Sequence, residues 1–476
     1  MIKNGWAGII VAVFVLIAVG ALVWWLFYDP AGRLTLSVPG MDKRTSDEKI
    51  PALQVSIGSE FTLFREMQDV PGTRWPRFRG EDYDNISKED TRLIENWEAG
   101  GPRILWKKDL GEGHAAPAVY DGKVYVLDYD EKERADMLRC FSLASGEELW
   151  RRGYKVHLKR NHGLSRTVPA VSEKFVLTLG PKGHAMCVNR TNGDFLWGLD
   201  VAGVYTSEIP FWYTGQCPLM DGDTAIIATG GKSLMVALDC NTGRAIWETP
   251  NPGGWKMSHS SVMPMTFMGK KMYVYFAIGG ICGISASGAD RGTVLWKTSE
   301  FSPAVVAPSP VMAGEGMIFV TAGYGAGSAL LQVTGKDGQF SVAVRQIYKP
   351  NEGLASEQQT PVFYDGYLYG ILPKDAGALR NQFACYRAND CKTVVLSSGR
   401  TERFGMGPYI LADGKFYILN DDGEMTIARV SPTKFRILDR KRIIDGQDSW
   451  GPMAITGGYL LMRDSRQMVC MDIKAL

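Results

Sequence analysis

The chain predicts an all-β fold, an eight-bladed β-propeller of four-stranded antiparallel blades with an N-terminal transmembrane helix. Three observations carry this reading. One is an uncharged run near the start, the second a proline-led segment that returns eight times, and the third a glycine that keeps standing four residues ahead of a tryptophan.

The uncharged run is GWAGIIVAVFVLIAVGALVWWLFY, residues 5–28. At about 1.5 Å per residue it spans roughly 36 Å, enough for a tilted transmembrane helix. Trp6 stands near one end and Trp24, Trp25 and Tyr28 at the other, where amphipathic rings settle at the membrane interfaces. A cleaved signal peptide has an apolar core of about 7–15 residues ending in a small-residue cleavage site. This run is longer and leaves through WWLFYDP, so a retained anchor is expected. Lipidation needs a cysteine at that junction, and the first cysteine is Cys140. Lys3 precedes the run while Arg33, Lys43 and Arg44 follow it, so flanking charge leaves the orientation open. Large domains cross largely regardless of charge, and the expectation is a single-pass protein of the bacterial inner membrane with its propeller in the periplasm.

The expected domains are an anchor over 1–28, a tether over 29–74 and the propeller over 75–476. The tether shows no clear periodicity and carries one strand, TLSV or LQVSI. SKEDTRLIENW (87–97) reads as a short helix, with Ser87 and Asp90 in capping-box-like spacing.

The propeller repeat begins at APAVYDGKVYV (116–126): a proline, a glycine five residues on, then an alternating apolar run. Versions return at Pro169, Pro218, Pro264, Pro310, Pro361, Pro408 and Pro452, 44 to 52 residues apart. Eight copies at such a period indicate a repeat architecture. Each unit holds four short strands, which is a propeller blade, and closing eight into a ring removes the sheet edges. The last unit has about three strands, and RILWKKDLG (103–111) is expected to supply its fourth. The stretches SLASGEELW, NRTNGDFLW and DCNTGRAIW are outer hairpins. Gly146, Gly193, Gly243 and Gly292 suit the positive φ of a tight turn. Trp106, Trp150, Trp197, Trp247 and Trp296 offer flat surfaces for packing between blades.

ALDCNTGRAIW resembles the tryptophan-docking repeat of the quinoprotein-type, PQQ-like β-propeller family, named for dehydrogenases that bind pyrroloquinoline quinone (PQQ). The same repeat occurs in non-catalytic outer-membrane assembly factors of the BamB type. WPRFRGEDYDNIS (75–87) resembles the lead-in of bacterial PQQ-like propellers. The resemblance covers roughly 75–476 and weakens after the fourth blade, where GKDGQFSVAV and VSPTKFRIL lack the tryptophan. It implies the fold; the fold hosts unrelated functions.

Basic and acidic residues number 53 and 51, so the net charge of +2 gives no electrostatic case for nucleic acid. The eight cysteines contain no CxxC spacing suited to zinc. Cys140, Cys187, Cys282, Cys385 and Cys470 fall in an inner-strand slot that wants a small buried side chain. Cys385 and Cys391, flanking a turn, are the one pair close enough to suspect of a disulfide.

Candidate chemistry lies in the loops entering each innermost strand, which are less repetitive than the strands and richer in polar and aromatic residues. They supply His114, His162 and His259, the cations Arg160, Arg166, Lys256 and Arg403, and the acids Glu208, Glu357 and Asp448. Trp212, Tyr213, Trp255 and Trp450 add flat surfaces. Together they suggest a funnel site for an anionic or aromatic ligand. The three histidines stand three, seven and five residues from the nearest downstream repeat prolines, which does not imply a shared metal.

Two functions follow. One is a non-catalytic envelope module that holds a protein or polymer partner. The other, which the resemblance allows, is a PQQ-dependent oxidoreductase with calcium in the funnel. The vicinal cysteine pair characteristic of PQQ alcohol dehydrogenases is absent, and their calcium motifs cannot be placed on this sequence. No nucleophile elbow, P-loop or dinucleotide fingerprint supports another enzyme class.

Overall fold

The computed structural model describes residues 3–28, 55–97, 101–446 and 448–475. The chain divides into two compact units, Met1–Pro51 and Ala52–Leu476. In the first, one helix runs over Lys3–Phe27 and contains a stretch, Gly8–Phe27, long and apolar enough to cross a membrane. The strand expected at TLSV lies outside the described residues.

The second unit is an eight-bladed propeller of antiparallel sheets, each built around four strands. Blade one uses Ala118–Tyr120, Lys123–Asp130, Ala135–Ser142 and Glu148–Lys155. The later blades repeat that order. In the eighth sheet, three strands between Ala454 and Asp472 are joined by Arg103–Asp109, with Cys470 opposite Trp106. The first blade strand thus closes the last blade, and the ring has no open seam.

The interval between glycine and tryptophan has a double purpose. Gly146, Gly193, Gly243 and Gly292 have φ of 68°, 75°, 70° and 84°, which a side chain would resist. Each also seats the tryptophan of the preceding blade: a Cβ on Gly146 would stand 2.6 Å from Trp106, and one on Gly193 would stand 2.7 Å from Trp150. Trp197 over Gly243 and Trp247 over Gly292 repeat the contact. The indole N–H of Trp106 donates to Leu143 O and that of Trp197 to Cys240 O, both at 2.8 Å.

Facing the tryptophans across the sheet are Cys140, Cys187 and Cys470, as the spacing suggests. Cys282 is one residue out, because Gly283 takes the place opposite Trp296. Pro264 is displaced as well. Met263 pairs as Leu219 does in the previous blade, so Val262 stands where Pro218 would. All eight cysteines are buried and free, so the suspected bridge between Cys385 and Cys391 is not formed. Cys391 instead occupies the turn position of the docking glycines, at φ 53°.

The lead-in departs from the expected tether and helix. No strand forms at residues 55–57; instead Glu60–Leu63 adds a fifth strand outside blade one. Asp69 pairs with Arg190 and Lys123. Arg74–Trp75 then pairs inside blade one, and Ile86–Ser87 lies parallel to the inner strand of blade seven. Between them the chain crosses the central channel. Pro76 O accepts from Val171 in blade two, and Arg77 donates to Met220 O in blade three. Arg79 is buried and gives four hydrogen bonds, to Tyr83 O, Asp84 O and, in blade six, Thr360 O and Pro361 O. Residues 88–97 form no helix. Their backbone N–H groups find acceptors outside a helix: Leu93 N donates to Asp413 Oδ2, Ile94 N to Ile473 O and Trp97 N to Asp439 Oδ2. Tertiary partners outweigh the capping pattern.

Candidate functional site

In a four-stranded blade, the loop into the first strand and the loop between the second and third open on the same face. On that face the loops enclose a cavity of about 340 Å³, at the small end of ligand pockets, which run to about 1,000 Å³. Phe78 of the lead-in is part of its lining, so the segment that crosses the channel contributes to the site.

Five successive loops are tied around the funnel by one recurring bond. Val168 N donates to Cys217 Sγ at 3.2 Å, and Cys217 N to Ser261 Oγ, Ser261 N to Ser309 Oγ and Ser309 N to Thr360 Oγ1, each at 2.9 Å. Backbone groups that would otherwise be stranded in the wall are thereby satisfied, and each loop is held to the next.

Two stacked pairs contribute flat walls. His114 lies against Trp450 with ring centroids 5.2 Å apart, and Trp212 against Tyr324 at 5.7 Å with an 8° interplanar angle. His259 tilts against Trp212 at 6.2 Å. The Trp450 indole N–H donates to Asp421 Oδ1 at 3.0 Å, which fixes the ring. Burial pushes the Asp421 carboxyl up. Glycines make room for the imidazoles: a Cβ on Gly163 would stand 2.8 Å from His114, and one on Gly215 the same distance from His259.

The charged lining residues are Arg166, Glu357 and Lys374. Lys374 Nζ stands 3.6 Å from Glu357 Oε1 and 5.8 Å from the Tyr324 ring centroid. Arg166 has no ion pair with a described carboxylate. Its Nη2 donates to Asn161 O at 2.9 Å, His162 O at 2.5 Å and Gly163 O at 3.3 Å, while Nε is buried without a partner. Burial lowers this guanidinium to about 10, still protonated at neutral pH. Burial, reinforced by Arg166, brings His114 and His259 down to about 3, so both rings are neutral at physiological pH. Behind the wall, Asp136 is buried with no cation beside it among the described residues. It accepts from Tyr154 Oη at 2.9 Å and Ser165 Oγ at 3.0 Å, and burial raises it to about 7. Ser165 O in turn accepts from His114 N at 2.8 Å.

Of the residues singled out by sequence, His114, His162, Arg166, Trp212, His259, Glu357 and Trp450 line this cavity. The others lie outside its lining. Arg160 pairs with Glu112 at 2.6 Å, Glu208 and Lys256 pair with each other, and Tyr213 Oη donates to Lys159 O. Arg403 donates to the carbonyls of Arg380 and Arg400, and Asp448 sits in a loop at φ 59°. Tyr324 and Lys374 were missed because they come from loops between second and third strands. The antiparallel blade would have pointed to those loops. Among the described residues no three of His, Cys, Asp and Glu come together as metal ligands.

Fold and docking positions define a PQQ-like β-propeller. The family profile described as outer membrane protein assembly factor BamB matches residues 85–203 and 134–336, together more than half the chain, and the protein belongs to this PQQ-like family. Among solved structures, BamB from Moraxella catarrhalis is similar at a TM-score of 0.52 and 11% identity, over 78% of this chain and 99% of that one. A europium-containing methanol dehydrogenase gives 0.58 and 12%, over 84% and 89%. The computationally designed Ika8 protein gives 0.51 and 11%, over 78% and 99%. At these identities the likeness concerns the fold. No curated protein matches the chain by sequence.

Proposed function

We propose that the protein is a membrane-anchored, non-catalytic binding module of the bacterial cell envelope, with its propeller on the periplasmic side and its loop face holding a protein partner or ligand. The observation that carries this reading is the donor set of the funnel. It has one carboxylate, Glu357, already faced by Lys374, and three imidazoles, of which burial keeps His114 and His259 neutral. Calcium takes about six to eight oxygen ligands, several of them commonly carboxylates. A calcium–PQQ centre therefore does not fit these residues, and no redox step is derived through one. The family described as an assembly factor supports an envelope setting, and the apolar helix supports anchoring.

An activity assay tests the reading. Full-length protein in detergent, supplied with PQQ, calcium, an alcohol and an artificial electron acceptor, is expected to reduce the acceptor at the protein-free rate. Reduction that requires both PQQ and calcium and is lost in Glu357→Gln would establish a dehydrogenase instead.

A further inference from the structure

The funnel's charge and walls suggest a narrower ligand class, in an inference that rests on the binding-module reading. We propose that the cavity takes a single carboxylate borne on an aromatic or similarly flat apolar group, with Arg166 as its anchor.

Charge supplies the first argument. Glu357 and Lys374 oppose each other, which leaves Arg166 as the lining cation without a carboxylate among the described residues. A guanidinium held in a partly buried wall favours an anion that satisfies its remaining N–H groups. Its Nη2 is spent on three carbonyls of its own loop, so the group is fixed in orientation before anything binds. One unpaired positive charge matches one carboxylate; a second or third anionic group would find no counter-charge among the described lining residues.

Shape supplies the second. The Trp450–His114 stack and the Trp212–Tyr324 stack offer flat faces, and Phe78 adds an apolar ring from the lead-in. Flat rings gain from such surfaces by offset or edge contact. Because His114 and His259 remain neutral far below physiological pH, they add hydrogen-bonding edges without adding charge. A free aromatic acid and a protein chain ending in an aromatic residue both present this chemistry.

The test is calorimetric titration of the full-length protein in detergent with four probes: benzoate, indole-3-acetate, N-acetyl-Gly-Gly-Phe and the C-terminal amide of that peptide. The expected result is one site per chain for at least one acid, at least tenfold weaker in Arg166→Gln and unchanged in Arg345→Gln, an exposed arginine of blade five. Arg166→Lys, which keeps the charge, should retain part of the affinity and guards against a folding defect, as does an unaltered thermal midpoint. Tighter binding of the peptide acid identifies a chain terminus as the source, and tighter binding of either free acid identifies a small molecule. Equal binding of the amide and the acid, or full affinity in a folded Arg166→Gln, would overturn the assignment. Failure of all four probes would overturn it while leaving the broader binding-module reading in place. Calcium-dependent PQQ binding would overturn both.

Discussion

Two arcs of the ring solve the same packing problem differently. In blade eight and blades one to four, the outer-strand docking position holds Trp106, Trp150, Trp197, Trp247 and Trp296. In blades five to seven the corresponding register positions hold Gln346, Leu396 and Asp439. The second arc is held by other means. Phe383 packs against Phe416 and Tyr409 at centroid distances of 4.9 and 5.3 Å, and Tyr369 against Phe416 at 5.1 Å. The lead-in reinforces it through Arg79 on blade six and through Asn85 and Ile86–Ser87 on blade seven. A propeller ring therefore needs large flat side chains between blades, but not at one fixed sequence position.

This contrast can be broken most sharply by truncation. Trp197→Ala should cost about 3–5 kcal/mol, whereas Leu396→Ala, at the same register position but half-buried, should cost about 1–2 kcal/mol. Urea unfolding of the two variants measures the gap, and equal losses would mean that docking position, not ring burial, sets the stability. Next in size, Arg79→Met removes a buried donor and strands its carbonyl acceptors, for a loss of about 2–3 kcal/mol. Hydrogen exchange should then rise first in blades six and seven; a rise confined to blades one to four would contradict the bracing assigned to the lead-in.

A smaller effect concerns pH within the tryptophan arc. Asp136 has a folded value near 7, above the usual carboxylate value, so it destabilises the fold as pH rises from about 4 to 7. His114 and His259 act in the opposite sense, because their values fall to about 3 and stability is lost as pH drops below about 6.5. Asp136→Asn should therefore match the wild type at pH 4 and exceed it at pH 8, by something on the order of 2 kcal/mol. A variant equally or less stable at pH 8 would show that the carboxylate is better supported than its two hydroxyl partners suggest. Smallest of all, Cys385→Ser should leave the thermal midpoint within about 1–2 °C, since no bridge is lost. Unfolded protein without reductant should present every cysteine to iodoacetamide; two fewer alkylated sites would restore the Cys385–Cys391 pairing.

The same contrast explains what the sequence made legible. Where glycine and tryptophan recur, blade number, strand order and ring closure can be read directly, and the family match ends at residue 336, soon after the last docking tryptophan. The lead-in could not be read that way, because its conformation is set by contacts with residues far along the chain, such as Met220, Thr360 and Tyr409. Ser87 and Asp90 carried a local helix signal that Asp413 and Asp439 override by accepting backbone N–H groups of the same segment. In the site, His114, Arg166 and His259 were visible because they sit just before innermost strands. Arg160, Glu208 and Lys256 share that placement, but nearby opposite charges hold them in ion pairs outside the lining. Sequence position gives the face of the propeller on which a charge lies; whether it enters the funnel depends on its neighbours.

The central claim is that this PQQ-like propeller has kept the fold while its funnel lacks the donors of a calcium–quinone centre. Calorimetric titration of the full-length protein with PQQ, in the presence and absence of calcium, tests it most directly. The account predicts no calcium-dependent heat. One PQQ bound per chain only when calcium is present, and lost in Glu357→Gln, would contradict it.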